Sequence, residues 1–539
     1  MFRLREDNKI QNSTVKNLTE ARTDKSTIRK PRPDIITSPV RLFCVLATLF
    51  GLALALLTPP FLVPDENRHF YRAYQLSRGE LVGTVGTINF NRQEDGHNVP
   101  GKLAGGVLPV AVIETGTSAL RVTSWMGNAV FRPSDLWRLF QVRVNPAEQR
   151  FEPFFMTTYS PVAYVPQTLM VLLGRALGLP PIAWMYAGRV ACLACWIVLI
   201  AGAIRLTPFG KWLFLVLALT PGFLIEGASL SADCLTDALA FLAIAYVLYL
   251  AYGTAALRWR QVIFLTLLMM AVSVCKFIYI WLVLAFLLIP ACQAGSRRRW
   301  WAFFLLVGGG SVAAVAAWSA AIHPIALPPF AGADPAAQWQ LMRAHPLAFP
   351  LTLGKSIFYY NLSPHYILTW PRTFLGQLGW LDTYLPAGQY LGWMAVLLLV
   401  AILDGPPGEW TAATAPARAR LRRRPGRETP AGNPGKNTGG NGFSMGDSAK
   451  RKFRLLGIFI GLATTLTMFL LLYLECTSPG GLTIAGWQGR YFYPVAPLFF
   501  LGLFSWRRFT RPVPPRLIAI LTTFSLIMLI YTLVVRYWF

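Results

Sequence analysis

The sequence predicts an all-α polytopic membrane protein of about eleven transmembrane helices, and three observations carry that reading. Hydrophobic side chains make up 54% of the 539 residues and charged ones 14%, against the ~25% charged share of a soluble globular chain. Apolar runs of near-spanning length recur from one end to the other. The charges that remain sum to +26 and gather in short basic clusters between those runs, as loops held on the cytoplasmic side of a bilayer do.

Residues 1–40 read as a basic cytoplasmic tail. Arg41 to Leu57 is the first span, an uncleaved signal anchor, because no small-residue cleavage site follows it. Further spans are expected at about 181–204, 211–226, 234–252, 261–275, 277–292, 300–321, 389–404, 454–475, 493–506 and 516–536. The membrane domain thus falls into two parts, 41–404 and 454–539. Between them 405–453, rich in Arg and then in Gly and Asn, reads as a disordered basic cytoplasmic linker.

The apolar stretch 161–179 decides the topology. Interrupted by Pro166 and Gly174, it is taken as a juxtamembrane or re-entrant helix on the outer face. Counting it as a span would put the basic clusters at Arg205 and Lys211, Arg258 and Arg260, and Arg297 to Arg299 outside. Leaving it out returns all of them to the cytoplasm, with the N-terminus. The first and fourth extracytoplasmic loops, 58–180 and 322–388, are then large, and a Gly-rich middle of the first, Gly83 to Gly106, reads as mobile and partly β. All five histidines, His69, His97, His323, His345 and His365, fall on the outer side.

The chemistry collects on that side too. After Pro64 stand Asp65 and Glu66, and the following residues have a helical pattern, with His69, Arg72 and Leu76 on one side and Gly79 as the stop. Two acids at the mouth of a span are costly to keep and suit chemistry on a membrane-bound substrate; helix capping by Asp65 and dipole complementation by Glu66 are the competing reading. A second cluster, Glu226 and Asp233, flanks a small-residue turn where Ser231 or Asp233 would cap the next helix. Lys276 interrupts an apolar run at a hairpin, as a phosphate contact or a snorkelling cation. Arg490, in W-Q-G-R-Y-F-Y-P, offers a planar fork for a phosphate or a headgroup.

Several classes are excluded or weakened. No nucleotide-binding glycine loop is present, no internal repeat supports a transporter of duplicated halves, and the seven cysteines lie in or beside apolar segments without metal-ligand spacing. The basic balance belongs to membrane topology, so no nucleic-acid partner is expected.

Taken together, P-D-E-N-R-H-F-Y-R-A-Y-Q-L-S-R-G at 64–79, Y-S-P-V-A-Y-V-P at 159–166, S-L-S-A-D-C-L-T-D-A-L at 229–239, Lys276, L-G-Q-L-G-W-L-D-T-Y-L-P at 375–386 and Q-G-R-Y-F-Y-P-V-A-P at 488–497 resemble, in consistent order over about 41–506, the bacterial membrane family known as domain of unknown function 2142. That family is similar in layout to the C-type (GT-C) glycosyltransferases of the bacterial inner membrane. The resemblance implies transfer of a sugar from a polyprenyl-phosphate donor to an envelope glycan, lipid or protein acceptor on the extracytoplasmic face. Asp65 or Glu66 would then be the catalytic acid, the choice between them open because an adjacent pair replaces the spaced acids of better-known relatives. His69, Arg72, Asp233, Lys276, Asp382, Gln488 and Arg490 would bind substrate and its phosphate. No cofactor is required; a divalent cation between acid and phosphate is open, and no ligand spacing demands one. A flippase for the lipid-linked sugar and a non-catalytic partner of an assembly complex are the alternatives.

Overall fold

The structure is a computed structural model, described here for residues 35–91, 98–123, 129–252, 256–327, 333–362, 369–404, 410–411, 442–443, 447–504 and 514–539. It is mostly helical. In chain order the helices are α1 (Pro39–Leu57), α2 (Glu66–Ser77), α3 (Val110–Thr117), α4 (Pro133–Gln141), α5 (Val165–Ala176), α6 (Pro181–Leu206), α7 (Lys211–Ala218), α8 (Pro221–Gly227), α9 (Ala232–Tyr252), α10 (Trp259–Cys275), α11 (Arg297–Ile322), α12 (Pro335–Ala344), α13 (Ala348–Leu362), α14 (Thr369–Leu375), α15 (Ala387–Leu403), α16 (Asp447–Glu475), α17 (Ala496–Phe504) and α18 (Pro515–Trp538).

Each of the eleven apolar runs is helical, but they are not alike. Among the described residues six helices are long and apolar enough to cross a membrane: α1, α6, α9, α11, α16 and α18. Three others, α10, the 3-10 helix Phe277–Leu288 and α15, are apolar but shorter. The 3-10 segment has a rise of about 2 Å per residue, so its twelve residues reach ~24 Å, well beyond an α-helix of that length. The run at 211–226 is broken into α7 and α8, because Pro221 has no N–H for the preceding turn. The run at 493–506 begins inside the 3-10 helix Gly489–Val495 and continues as α17.

The segment 161–179 forms a 3-10 turn, Pro161–Tyr164, and then α5. At 12 residues α5 is about 18 Å long, too short to span. Its Val165, Leu169, Leu172 and Leu173 are exposed.

The loop from 58 to 180 carries the larger of the two sheets among the described residues. Strands β1 (Thr84–Asn91), β2 (Asn98–Pro109) and β3 (Gln149–Pro153) form an antiparallel sheet in the order β1-β2-β3, with Thr84 opposite Gly105 and Gly105 opposite Pro153. The glycine-rich composition serves this packing: a Cβ on Gly105 would meet the Glu152 carbonyl oxygen at 2.1 Å. Of 405–453, the described residues are an antiparallel pairing of Trp410–Thr411 with Gly442–Phe443 and the start of α16. The expectation of a disordered linker otherwise lies outside the described residues, as do His97 and His365.

Candidate functional site

The site begins where α1 ends. Thr58, Pro59 and Pro60 stop the helix, and Phe61 and Asp65 both take left-handed backbone angles, φ 61° in each case, so the chain doubles back within a few residues. The last carbonyls of a helix have no partner in the helix itself. Here Arg189, within α6, supplies one: its Nη1 donates to the carbonyls of Ala55 (3.0 Å) and Thr58 (2.7 Å), and its Nη2 to that of Pro59 (3.1 Å).

The other edge of the same guanidinium grips Glu66, with Nε donating to Oε1 at 2.8 Å and Nη2 to Oε2 at 2.6 Å. Glu66 Oε1 also accepts from the Leu230 backbone N–H at 3.2 Å. Both side chains are wholly buried. Glu66 is therefore the anchor that holds α1, α2, α6 and the 228–231 turn together, and its oxygens are occupied.

Asp65 stands differently. It occupies the position before α2, yet its side chain makes no capping hydrogen bond, so the capping alternative does not describe it. Its carboxylate pairs with Arg68 at 2.9 Å and keeps 24% exposure. An aspartate tolerates the left-handed region better than most residues.

One turn on, His69 is buried, and its Nδ1 lies 2.7 Å from the Tyr164 hydroxyl. Burial lowers its pKa to about 4, against the pull of Asp65 and Asp233 and with help from Lys276 and Arg490, so the ring is neutral at pH 7. Arg72, fully buried, donates to the Gln75 side chain at 2.5 Å and to the carbonyls of Leu81 (2.7 Å) and Tyr159 (2.9 Å). Burial lowers its pKa to about 10, with Tyr164 and Glu80 opposing, which leaves it charged at neutral pH. Its work is to tie α2 to the segment before α5.

Two further ion pairs complete the cluster. Ser231 caps the turn before α9, its Oγ accepting from the Asp233 N–H at 3.2 Å. Asp233 pairs with Lys276, which follows α10, and Glu226 at the end of α8 pairs with Arg490. The ring of Tyr491 lies between the cations, 5.1 Å from Lys276 Nζ and 5.6 Å from the Arg490 guanidinium carbon. Burial works against the Arg490 charge, but Glu226, with Tyr491, Asp233 and Asp65 behind it, more than restores it. Arg490 keeps unspent capacity: its Nε is buried with no hydrogen-bond partner among the described residues, and the neighbouring Gln488 Oε1, an acceptor, is likewise unpartnered. Gly489 lets Arg490 reach this place, since a Cβ there would meet the Trp370 carbonyl oxygen at 2.3 Å and the Phe374 N at 2.7 Å.

Asp382 sits at the Gly379 turn near the Tyr537 hydroxyl of α18, accepting from Thr383 Oγ1 at 3.3 Å. That turn reaches the acidic segment through Trp380, whose Nε1 donates to the Phe61 carbonyl at 3.0 Å. Among the described residues no three His, Cys, Asp or Glu side chains are placed to hold a metal ion. Asp65, Glu66, Glu226 and Asp233 each pair with a cation of the protein.

A family model described as a predicted membrane protein, domain of unknown function 2142, matches residues 48–499. The chain belongs to this family. For this member of the domain of unknown function 2142 family, the match and the six crossing-length helices together describe a multi-pass membrane protein. The matched region starts within α1, ends within α17 and contains every residue of the cluster from Asp65 to Arg490, while α18 lies beyond it. No curated protein and no solved structure matches the chain.

Sequence reasoning passed over Arg189 and quoted Tyr159 and Tyr164 only within the motif at 159–166. For Arg189 a signal existed: it lies about a third of the way along a 26-residue apolar helix, and a charge within such a helix is expensive unless paired.

Proposed function

We propose that the protein is a glycosyltransferase of the bacterial inner membrane. It transfers a sugar from a polyprenyl-phosphate donor to an envelope glycan, lipid or protein on the extracytoplasmic face. The observation that carries this reading is the meeting of one accessible carboxylate, Asp65, with two buried cations, Lys276 and Arg490, around a neutral histidine. Asp65 is the general base: it takes the proton of the acceptor hydroxyl as that oxygen bonds to the anomeric carbon. The bond from the anomeric carbon to the phosphate oxygen breaks, and the phosphate leaves with the electron pair. Lys276 and the unpartnered Nε of Arg490 stabilise its charge. Asp233 and Glu226 keep the cations charged and in place, and the lipid phosphate as leaving group removes any need for a nucleotide.

Full-length protein in nanodiscs, given radiolabelled polyprenyl-phosphate sugars and an envelope extract, tests this directly. Sugar transfer that disappears in Asp65→Asn supports the reading. Movement of the lipid-linked sugar between vesicle leaflets with no product would replace it by a carrier.

A further inference from the structure

The Tyr164 hydroxyl and His69 Nδ1 are 2.7 Å apart and both residues are buried, Tyr164 completely. A phenol proton buried away from water needs an acceptor, and among the described residues the Tyr164 oxygen has one partner, His69 Nδ1. If the ring donated from Nδ1 instead, the phenol proton would be stranded. The phenol therefore donates, Nδ1 is the bare nitrogen, and the imidazole proton is on Nε2. Around the ring stand Asp65, Asp233, Lys276 and Arg490. Tyr164 itself comes from the turn Pro161–Tyr164 that leads into α5, so its hydroxyl is set by a rigid entry turn whose Ser160 Oγ accepts from the Val162 N–H.

We propose that Tyr164 is a positioning residue that fixes His69 as the Nε2–H tautomer, making His69 an uncharged third donor to a phosphate oxygen beside Lys276 and Arg490. The inference rests on the phosphate-binding part of the proposed function. A neutral donor adds a hydrogen bond while leaving the summed charge of the site unchanged, so the ligand is oriented and still released.

The test uses the full chain in nanodiscs with 15N-labelled histidine, the His69 signals being assigned by their loss in His69→Gln. A protonated Nε2 with a bare Nδ1 in the parent protein, and a mixture of tautomers in Tyr164→Phe, is the expected result. Decyl phosphate, as the probe, should shift the Nε2 signal. Its affinity should fall about tenfold in His69→Asn, whose amide reaches only the Nδ1 position, and about threefold or less in His69→Gln, whose amide nitrogen reaches that of Nε2. A proton on Nδ1, an unchanged tautomer in Tyr164→Phe, or no response of Nε2 to decyl phosphate overturns the inference. None of these readouts needs sugar transfer, so a protein that meets them all yet transfers nothing overturns the transferase reading alone.

Discussion

Arg189 and Glu66 meet in a two-pronged, wholly buried ion pair, and the same guanidinium satisfies three carbonyls at the end of α1. Removing one partner strands the other in a medium that cannot solvate it, at a cost of about 3–5 kcal/mol. Glu66→Gln and Arg189→Met should each yield far less folded protein and a markedly lower melting temperature in detergent. Fluorescence-detected gel filtration after heating measures this, and stability equal to the parent would refute the assignment of the pair as an anchor.

Asp65→Asn should behave in the opposite way. Asparagine tolerates the left-handed region as aspartate does, and the lost partner, Arg68, forms a partly exposed pair worth less than about 1 kcal/mol. Folding should be retained while sugar transfer drops by at least ~100-fold. A variant that is fully folded and fully active removes Asp65 from the mechanism.

His69 should give the protein an acid limb of stability. Its folded pKa, about 4, lies below the ~6.5 of an exposed histidine. The unfolded chain therefore binds a proton first as the pH falls. Stability is flat above about pH 6.5 and declines between there and about pH 4, by roughly 3 kcal/mol in all from this one group. Melting curves from pH 7.5 to 4.5 should show a smaller decline in His69→Gln, and identical slopes would contradict it.

Gly489→Ala should damage the site more than the fold. The added methyl meets backbone atoms of Trp370 and Phe374, so the Gly489–Val495 turn must move and carry Arg490 away from Glu226. Transfer should fall at least ~10-fold, by loss of charge stabilisation, with a modest change in melting temperature. Unimpaired activity would show that Arg490 needs no such close approach.

Much of this was legible in the residues. Apolar length located the helical runs, the placing of the basic clusters set 161–179 apart from the spans, where the structure has the 12-residue α5, and Gly79 did end α2, with φ +83°. Glu226, Asp233, Lys276 and Arg490 stood out as charges in apolar surroundings, and the structure joins them in pairs. The pairing itself was hidden, because the partners lie 43 and 264 positions apart and no local pattern spans such distances. The adjacent acids also looked equivalent. Only the backbone at position 65 separates them, sending Glu66 to Arg189 and Asp65 to Arg68.

The left-handed bend at Asp65 also limits what can be written there. A bulkier side chain, as at Phe61, holds that conformation only under strain, and the residues that enter it at least cost are Gly, Asn and Asp. Of these one ionises. Genetic drift at the tip of α2 is thereby confined by geometry, and whichever copies abandon the acid can be expected to remain well folded while falling silent.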